Sequence, residues 1–252
     1  MDVTEKALVL RVGRFREADA WVRLLTAARG VFTAFAFGGF RSRRRFLGCL
    51  DPLNLVLFTI GSDRKGAYQQ LAEGSLLNGF KELKADSSLV GQAVNCMKFV
   101  EAIEPGPEDG RALFSLLLDT LETLEQKTPT GDLFPILFRA KASFELGFTP
   151  DFSNCGRCGA GLGSAASVSF SVESGQVTCS ACKLQQKPVD GLARQVSVGT
   201  LRTLDWIMRS NPSEWVGLGM ASEVRRQVFE LVELFIAYHL GLQWEGGNYK
   251  KV

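Results

Sequence analysis

Cys155-Gly156-Arg157-Cys158 and Cys179-Ser180-Ala181-Cys182 are two Cys-x-x-Cys pairs separated by twenty residues. This spacing is typical of a structural zinc site, in which two tight turns present four thiolates to one tetrahedral ion. A zinc ion with four sulfur ligands has no open position for water, so the pattern predicts an ion that stabilises the fold rather than one that activates a nucleophile. Two redox pairs are the alternative, but neither pair has the β-α-β context of a thioredoxin-like motif.

The cysteine segment interrupts a sequence that is otherwise helical from about residue 81 onward. It is rich in Gly and Ser and contains one predicted strand, residues 168–172, between the two pairs. Before it, apolar residues recur at helical spacing after a candidate cap at Ser87 or Ser88, with a stop at Pro105-Gly106-Pro107. After it, the main element is a long predicted helix over residues 222–240, and the residues from Glu245 onward are expected to fray.

The first eighty residues predict short strands instead. In the run from Val31, alternate residues share one face with period two, and Gly38-Gly39 ends it. Five such strands with glycine-rich turns fit a small barrel, either of the OB type, which commonly binds nucleic acid, or of the SH3-like type. The predicted strands are residues 7–12, 20–26, 31–37, 53–60 and 68–73.

The expected fold class is therefore α+β and multi-domain: an N-terminal β-barrel of the OB or the SH3-like type, and an α-helical C-terminal part that a four-cysteine zinc segment interrupts. The predicted parts are residues 1–80 for the barrel, 81–150 for the first helical part, 151–189 for the zinc finger and 190–252 for the second helical part.

Positive charge is concentrated near the N-terminus. Residues 1–65 hold twelve Lys and Arg against six Asp and Glu, whereas the remainder holds seventeen against twenty-one. Ten of those twelve cations are arginines, whose planar guanidinium binds phosphate bidentately and stacks on bases. This quarter of the chain is where an anionic polymer is expected to bind, the alternative being a solvated charged surface.

The densest cationic motif is Gly38-Gly39-Phe40-Arg41-Ser42-Arg43-Arg44-Arg45-Phe46. Cationic side chains follow a phosphate backbone, while aromatic rings stack on bases. Because the motif directly follows a strand of the predicted barrel, it indicates nucleic-acid contact, with an exposed basic loop as the alternative. The run Gly159-Ala160-Gly161-Leu162-Gly163 lacks the strand and helix of a phosphate-binding loop, so we interpret it as part of a cysteine turn.

Signatures of enzymes are absent from the sequence, so we expect no catalytic activity. There is no Gly-x-Ser-x-Gly elbow, no P-loop and no His-x-Glu partner for the cysteines. The one histidine, His239, falls on the apolar stripe of the long helix, which favours a core or hydrogen-bonded role over a metal ligand or general base. Cys49, in a probable strand, and Cys96, on a helix face, are predicted to be buried structural residues.

The sequence also predicts a cytoplasmic protein. The first residues carry two acids instead of a basic region followed by an apolar run, and no apolar stretch reaches the roughly eighteen residues of a membrane span. In a reducing compartment, paired Cys-x-x-Cys motifs are more often metal ligands than disulfides.

Taken in order, several stretches resemble one known family, the bacterial DNA repair and recombination protein RecO. Each stretch alone is weakly specific, but the ordered combination is specific and covers most of the chain. The stretches are Ala7-Leu8-Val9-Leu10, Glu17-Ala18-Asp19, Gly38-Gly39-Phe40-Arg41-Ser42-Arg43 leading to Gly48-Cys49-Leu50-Asp51-Pro52, Leu146-Gly147-Phe148-Thr149-Pro150-Asp151, Phe170-Ser171 before Gly175, and Tyr238-His239-Leu240-Gly241.

The resemblance implies an N-terminal OB barrel, a helical domain and a zinc finger inserted between helices. It further implies a non-enzymatic protein of the cytoplasm and nucleoid that binds single- and double-stranded DNA and anneals complementary strands. Its implied partners are RecR, sometimes RecF, and single-strand-binding protein, with RecA loaded indirectly onto the coated DNA. All four zinc ligands of the family pattern are present, as Cys155, Cys158, Cys179 and Cys182. A departure from the pattern is the crowded run Arg43-Arg44-Arg45, which leaves open which arginines face DNA.

Two hypotheses of different classes follow, and a third is weaker. In the first, a zinc-stabilised mediator binds DNA through its barrel. In the second, the protein is a scaffold that binds only proteins, its basic loop recognising an acidic tail. An unrecognised zinc enzyme would need an open coordination position. The candidate DNA-binding residues of the first hypothesis are Arg41, Arg43, Arg44 and Arg45, extended by Arg11, Arg14, Arg16, Arg23 and Arg29, with Phe40 or Phe46 stacking on bases.

Overall fold

The computed structural model of the chain describes residues 2–63, 66–127, 129–163, 167–184 and 191–252. These residues form two compact units, residues 1–128 and 129–252. Two features expected from the sequence fall outside the described residues. One is the pair Arg64 and Lys65, which contribute to the N-terminal excess of positive charge, and the other is the predicted boundary between the zinc finger and the second helical part at residues 189 and 190.

The first unit begins with a closed five-stranded barrel. Its strand order is β1-β2-β3-β5-β4, and β4 returns to pair with β1. All pairings are antiparallel except the short parallel one that joins β3 to β5. This arrangement confirms the predicted OB-like barrel and makes the SH3-like alternative unnecessary. The strands are β1 (Val3–Arg14), β2 (Ala20–Thr26), β3 (Gly30–Ala36), β4 (Leu55–Ser62) and β5 (Gln69–Asn78).

The barrel is filled by the side chains that alternate inward along each strand. On β3, Ala34 and Ala36 are fully buried, whereas Thr33 and Phe35, which alternate with them along the strand, are partly exposed. The period of two in the sequence thus separates an apolar interior from an outer face that can contact a ligand. The buried cluster consists of Ala7, Val9, Ala20, Val22, Leu24, Ala34, Ala36, Phe46, Cys49, Val56, Phe58, Ile60 and Leu71.

Three helices complete the first unit: α1 (Lys81–Lys84), α2 (Ser87–Ile103) and α3 (Pro107–Glu125). The cap of α2 is Asp86, one residue before the predicted Ser87 or Ser88. Its carboxylate accepts hydrogen bonds from the amides of Ser88 at 2.8 Å and Leu89 at 3.2 Å. A carboxylate at this position also interacts favourably with the helix dipole, which a serine hydroxyl does much less.

The start of α3 packs directly against the turn between β2 and β3. The Val31 amide donates to the Pro105 carbonyl at 2.9 Å. A Cβ on Gly110 would lie 2.7 Å from the Gly30 nitrogen, and Gly30 itself has a φ of +69°. Glycine at both positions therefore permits the close approach of helix and barrel.

The second unit combines helices with a small four-stranded sheet of order β6-β8-β7-β9. The sequence predicted only the strand at 168–172, because the other strands are three to five residues long and show little periodicity. The elements are α4 (Phe134–Glu145), β6 (Asp151–Cys155), β7 (Ser167–Ser171), β8 (Gln176–Thr178), α5 (Ser180–Leu184), β9 (Ala193–Ser197), α6 (Val198–Arg209), α7 (Ser222–Leu240), β10 (Leu242–Glu245) and β11 (Asn248–Lys251).

The last residues form a hairpin of β10 and β11, so the prediction that they fray is wrong. Arg139, a buried residue of α4, donates to the Tyr249 hydroxyl at 2.8 Å and forms an ion pair with Glu233 at 2.9 Å. The rings of Trp244 and Tyr249 also pack edge to face. These contacts order the hairpin, and none of them is visible in the local sequence.

The isolated histidine and cysteines have structural environments. His239 Nε2 lies 2.8 Å from the Val172 carbonyl oxygen, as predicted for a hydrogen-bonded residue, and its ring packs on Phe235. Cys49 and Cys96 are both fully buried, although Cys49 lies in a turn and not in the predicted strand.

In the part of the chain that the structure describes, no helix has the length and apolar character needed to cross a membrane.

Candidate functional site

The four predicted metal ligands come together at one end of the small sheet. Cys155 ends β6, Cys158 lies in the turn that follows, Cys179 follows β8, and Cys182 is in α5. Their sulfur atoms all lie within 4.8 Å of one another. The distance from Cys158 Sγ to Cys179 Sγ is 3.9 Å, too long for a disulfide and close to the separation of about 3.8 Å expected for a tetrahedral zinc with Zn–S bonds of about 2.3 Å.

Backbone amides are oriented towards the sulfur atoms. The Cys179 amide donates to Cys155 Sγ at 3.4 Å, and the Cys182 amide donates to Cys179 Sγ at 3.5 Å. Burial alone would raise the pKa of the Cys155 thiol, but amides of Cys179, Cys158 and Arg157 outweigh it and lower that pKa to about 6. These amides thus favour the thiolate form of Cys155, the form that binds a metal ion, whereas hydrogen bonds with Cys179 and Cys158 raise the pKa of the Cys182 thiol to about 12.

The donor set and its geometry fit a metal ion with four sulfur ligands. Soft thiolates in a tetrahedral arrangement select zinc or iron–sulfur chemistry over magnesium or calcium. All four positions would be occupied by protein, so a bound ion would link β6, β8 and α5 without activating water.

The candidate DNA-binding arginines fall into groups that the sequence does not distinguish. Four of them form ion pairs with acidic side chains of the same unit: Arg41, which pairs with the exposed Glu17, and the three arginines Arg11, Arg23 and Arg29. Arg11 pairs with Glu101 at 2.7 Å. Arg29 pairs with Glu5 at 2.6 Å and also donates to Gln69. In these pairs the positive charge is largely compensated within the protein.

Arg23 is the third paired arginine. It contacts Glu104 and donates to the Thr33 hydroxyl at 3.2 Å, and only 18% of its side chain is exposed. Because Glu101 and Glu104 lie at the end of α2 or just after it, Arg11 and Arg23 connect the barrel to that helix.

Arg45 and Phe46 also have structural contacts. The Arg45 guanidinium donates to the Phe37 carbonyl at 2.7 Å and to the Ala72 carbonyl at 3.3 Å. Phe46 is 3% exposed and packs on Phe58 inside the barrel. Its ring cannot reach a base in this conformation, so of the two predicted stacking residues only Phe40 remains available.

The remaining candidates lie on or next to two loops that contact each other at one end of the barrel. The Phe40 amide donates to the Ala18 carbonyl at 3.0 Å, and the Gly38 amide donates to the Asp19 carboxylate at 2.7 Å. These bonds join the loop after β3 to the turn between β1 and β2. Apart from Arg45, we call the exposed arginines on and next to these two loops the basic rim; they are Arg14 at the end of β1, and Arg16, Arg41, Arg43 and Arg44 on the loops.

Most of the basic rim has no acidic partner among the residues that the structure describes. Arg14 lies over the ring of Phe40 at 5.0 Å, and Arg16 over that of Phe15 at 5.2 Å. Arg43 and Arg44 are exposed and make no ion pair within the described chain. Arg41 alone forms an ion pair, with the exposed Glu17. The rim is therefore a local excess of positive charge accessible to solvent.

Sequence reasoning missed an aromatic cleft beside this rim, lined by Phe15, Phe35, Phe37 and Tyr68, with Arg16 at its edge. Its volume is about 260 Å³. Phe15 and Tyr68 are 50% and 38% exposed, although large aromatic side chains are usually well buried. The alternation from Val31 to Phe37 had placed Phe35 and Phe37 on one face, but the contribution of Phe15 and Tyr68 depends on two loops that only the fold brings together.

Two family models match the chain. The model described as Recombination protein O N terminal matches residues 1–80, and the model described as Recombination protein O C terminal matches residues 86–246.

Curated relatives agree with these matches. The DNA repair protein RecO of Maridesulfovibrio salexigens is 45% identical over 253 residues, and that of Oleidesulfovibrio alaskensis is 44% identical over 252 residues, each alignment covering all of both chains. The DNA repair protein RecO of Myxococcus xanthus is 31% identical over 94% of this chain and 92% of its own.

Proposed function

The chain belongs to the RecO family, and on that premise we propose that it is a DNA-binding recombination mediator in DNA repair. It binds single- and double-stranded DNA and anneals complementary strands. With RecR, and in some settings RecF, it helps to load RecA onto DNA coated with single-strand-binding protein. The coarser role, recombination or repair, follows from the family; the individual steps are our proposal.

The observation that carries the proposal is the basic rim. Four of its five arginines have no acidic partner among the described residues, and they lie on or next to loops of an OB-like barrel, the part of this fold that commonly contacts nucleic acid. Uncompensated arginines at a surface attract phosphates and release the counterions condensed on DNA. If about four phosphates are engaged, the logarithm of the single-strand binding constant should fall with the logarithm of salt concentration at a slope of roughly −3.

The metal centre has a structural role in this proposal. Zinc held by Cys155, Cys158, Cys179 and Cys182 stabilises the loop-rich segment between the helices, and the protein has no catalytic step of its own. The proposed organisation is a DNA-binding barrel at residues 1–80, helical parts at 81–150 and 190–252, and a zinc finger at 151–189. The proposed location is the cytoplasm, in association with the nucleoid.

Titration of the purified protein with a fluorescently labelled oligonucleotide, with no partner protein present, tests the proposal. We expect saturable binding of both single-stranded and duplex forms that weakens steeply as salt is added. Absence of binding even in dilute buffer would refute the DNA-binding function and favour the scaffold hypothesis, in which the basic loop recognises an acidic protein segment.

A further inference from the structure

The aromatic cleft is lined mainly by rings, and contacts of the basic rim with phosphates do not explain why these rings are exposed together. Phe35 projects from the outer face of β3, between Phe15 at 5.3 Å and Tyr68 at 5.5 Å, measured between ring centroids. Tyr68 also packs edge to face on Phe37 at 6.0 Å. Phe15 belongs to the turn between β1 and β2, and Tyr68 to the loop between β4 and β5. Three separate segments therefore contribute rings to one solvent-accessible cleft.

Exposed aromatic surface of this kind is costly in water unless a ligand covers it. The flat π face of a nucleobase is a suitable ligand, because aromatic side chains stack on bases of any sequence. At about 260 Å³ the cleft lies below the roughly 300–1,000 Å³ of sites for drug-sized molecules, which suits a single flat ring system.

The charges around the cleft also suit a nucleotide. Arg16 lines the edge of the cleft, and Arg14 is two residues before it on the same segment. The acidic groups on this segment are engaged elsewhere: Glu17 pairs with Arg41, and Asp19 accepts from the Gly38 amide. A strand whose phosphates follow the basic rim would thus have a place for one of its bases beside them.

We propose that the aromatic cleft formed by Phe15, Phe35, Phe37 and Tyr68 is a stacking site for one unpaired nucleobase. The inference rests on the proposed DNA-binding function and deepens it: the basic rim holds phosphates of any DNA, and the cleft selects single strands. A base inside a duplex has both π faces covered by its neighbours, and removing it from the stack costs a few kcal/mol. Duplex DNA therefore binds through the rim alone.

The test compares three probes of equal length and label: oligo-dT, a strand of abasic residues with the same phosphates, and a duplex. The variant is Phe15→Ala/Tyr68→Ala, which removes the two most exposed rings of the cleft. For oligo-dT we expect an affinity loss of roughly 5- to 100-fold, the effect of losing aromatic stacking on a base. Affinity for the abasic strand and for the duplex should stay within about twofold of the parent protein, because the phosphate contacts are intact.

Phe229→Ala is the matched control, since Phe229 is 46% exposed on α7 in the second unit. It should leave all three affinities unchanged. An equal loss for oligo-dT, abasic strand and duplex would overturn the inference, because it would report an effect on the rim or on folding. The inference would also be overturned if the Phe15→Ala/Tyr68→Ala variant kept the parent's preference for oligo-dT over the abasic strand. That result is expected if the cleft binds a protein side chain and not a base. Failure of the parent protein to bind any of the probes would instead refute the DNA-binding function itself.

A second measurement uses the unaltered protein and does not depend on the folding of any variant. A strand containing 5-iododeoxyuridine crosslinks to an aromatic side chain on which the base stacks. Irradiation should attach it to the peptides that contain Phe15, Phe35, Phe37 or Tyr68. Crosslinks confined to other aromatic residues, such as Phe40, would contradict the inference.

Discussion

At the residue scale, neighbouring arginines of one motif have different roles. Arg44 is exposed without an ion pair in the described chain, whereas the guanidinium of Arg45 is hydrogen bonded to the carbonyls of Phe37 and Ala72. The side chain of Arg45 therefore connects the loop after β3 to β5. The density of arginines in the sequence indicates where the basic loop lies, but it does not show which arginine is free for a ligand and which is bonded within the fold.

This difference predicts unequal effects of two alanine substitutions. Arg45→Ala should lower the free energy of unfolding by about 1 kcal/mol, because two hydrogen bonds to main-chain carbonyls are lost. Arg44→Ala should change it by less than about 0.5 kcal/mol, as is usual for exposed residues. Urea unfolding followed by circular dichroism measures both. Equal effects of the two substitutions would contradict the assignment of Arg45 to the fold.

At the scale of elements, the contact between the barrel and α3 depends on two glycines. A Cβ on Gly110 would meet the backbone of Gly30, which cannot move without displacing the β2–β3 turn. Helix and barrel are thus packed backbone to backbone at this point, and the first unit includes α1, α2 and α3 as well as the barrel.

Gly110→Ala should destabilise the protein by about 1–3 kcal/mol, the usual cost of overpacking. Gly91→Ala is the matched control, because Gly91 is an exposed residue inside α2, and a methyl group added there would have no neighbouring atom within 4 Å. At that position, alanine should stabilise by about 0.5–1 kcal/mol through its higher helix propensity. Thermal unfolding distinguishes the two, and a Gly110→Ala protein as stable as its parent would show that the contact is loose.

The four-cysteine cluster is a second feature at this scale. A metal ion bound there would connect β6, β8 and α5, which are too short to form a stable sheet and helix without additional constraints. Binding of zinc to such a segment contributes to the free energy of folding. Removal of the ion should therefore destabilise this segment and leave the first unit folded.

Treatment with a chelator at pH 7 should release about one zinc ion per chain and expose residues 151–189 to proteolysis. Peptides of the first unit should stay protected and serve as the internal control. Mass spectrometry of the released metal and of the cleavage products measures both effects. Equal protease susceptibility of this segment with and without chelator would refute a stabilising role for the metal.

At the scale of the whole molecule, the sequence was most informative where a pattern is local. The period of two from Val31 to Phe37 predicted β3, and the spacing of Cys155, Cys158, Cys179 and Cys182 predicted the sulfur cluster. Both patterns follow directly from local geometry: side chains alternate between the two faces of a strand, and a Cys-x-x-Cys turn places two sulfur atoms near one ion.

Other features depend on contacts between residues far apart in the chain, and sequence alone could not supply them. Arg23 and Glu104 are 81 residues apart, so nothing near Arg23 indicates that its charge is compensated. Arg139 and Tyr249, 110 residues apart, help to order a C-terminal hairpin that was expected to fray. The burial of Phe46 and the exposure of Phe40 likewise depend on how one loop folds over the barrel.

The central claim is that the basic rim holds a polyanion, and the salt dependence of binding tests it most directly. Two charge-matched double variants are compared with the parent: Arg43→Ala/Arg44→Ala in the rim, and Arg11→Ala/Arg23→Ala among the arginines paired with Glu101 and Glu104. For single-stranded DNA, each lost phosphate contact should reduce the steepness of the log–log slope by about 0.7. We therefore predict a slope shallower by roughly 1.4 for the rim variant and an unchanged slope for the control. A rim variant with the slope of the parent protein would contradict the account.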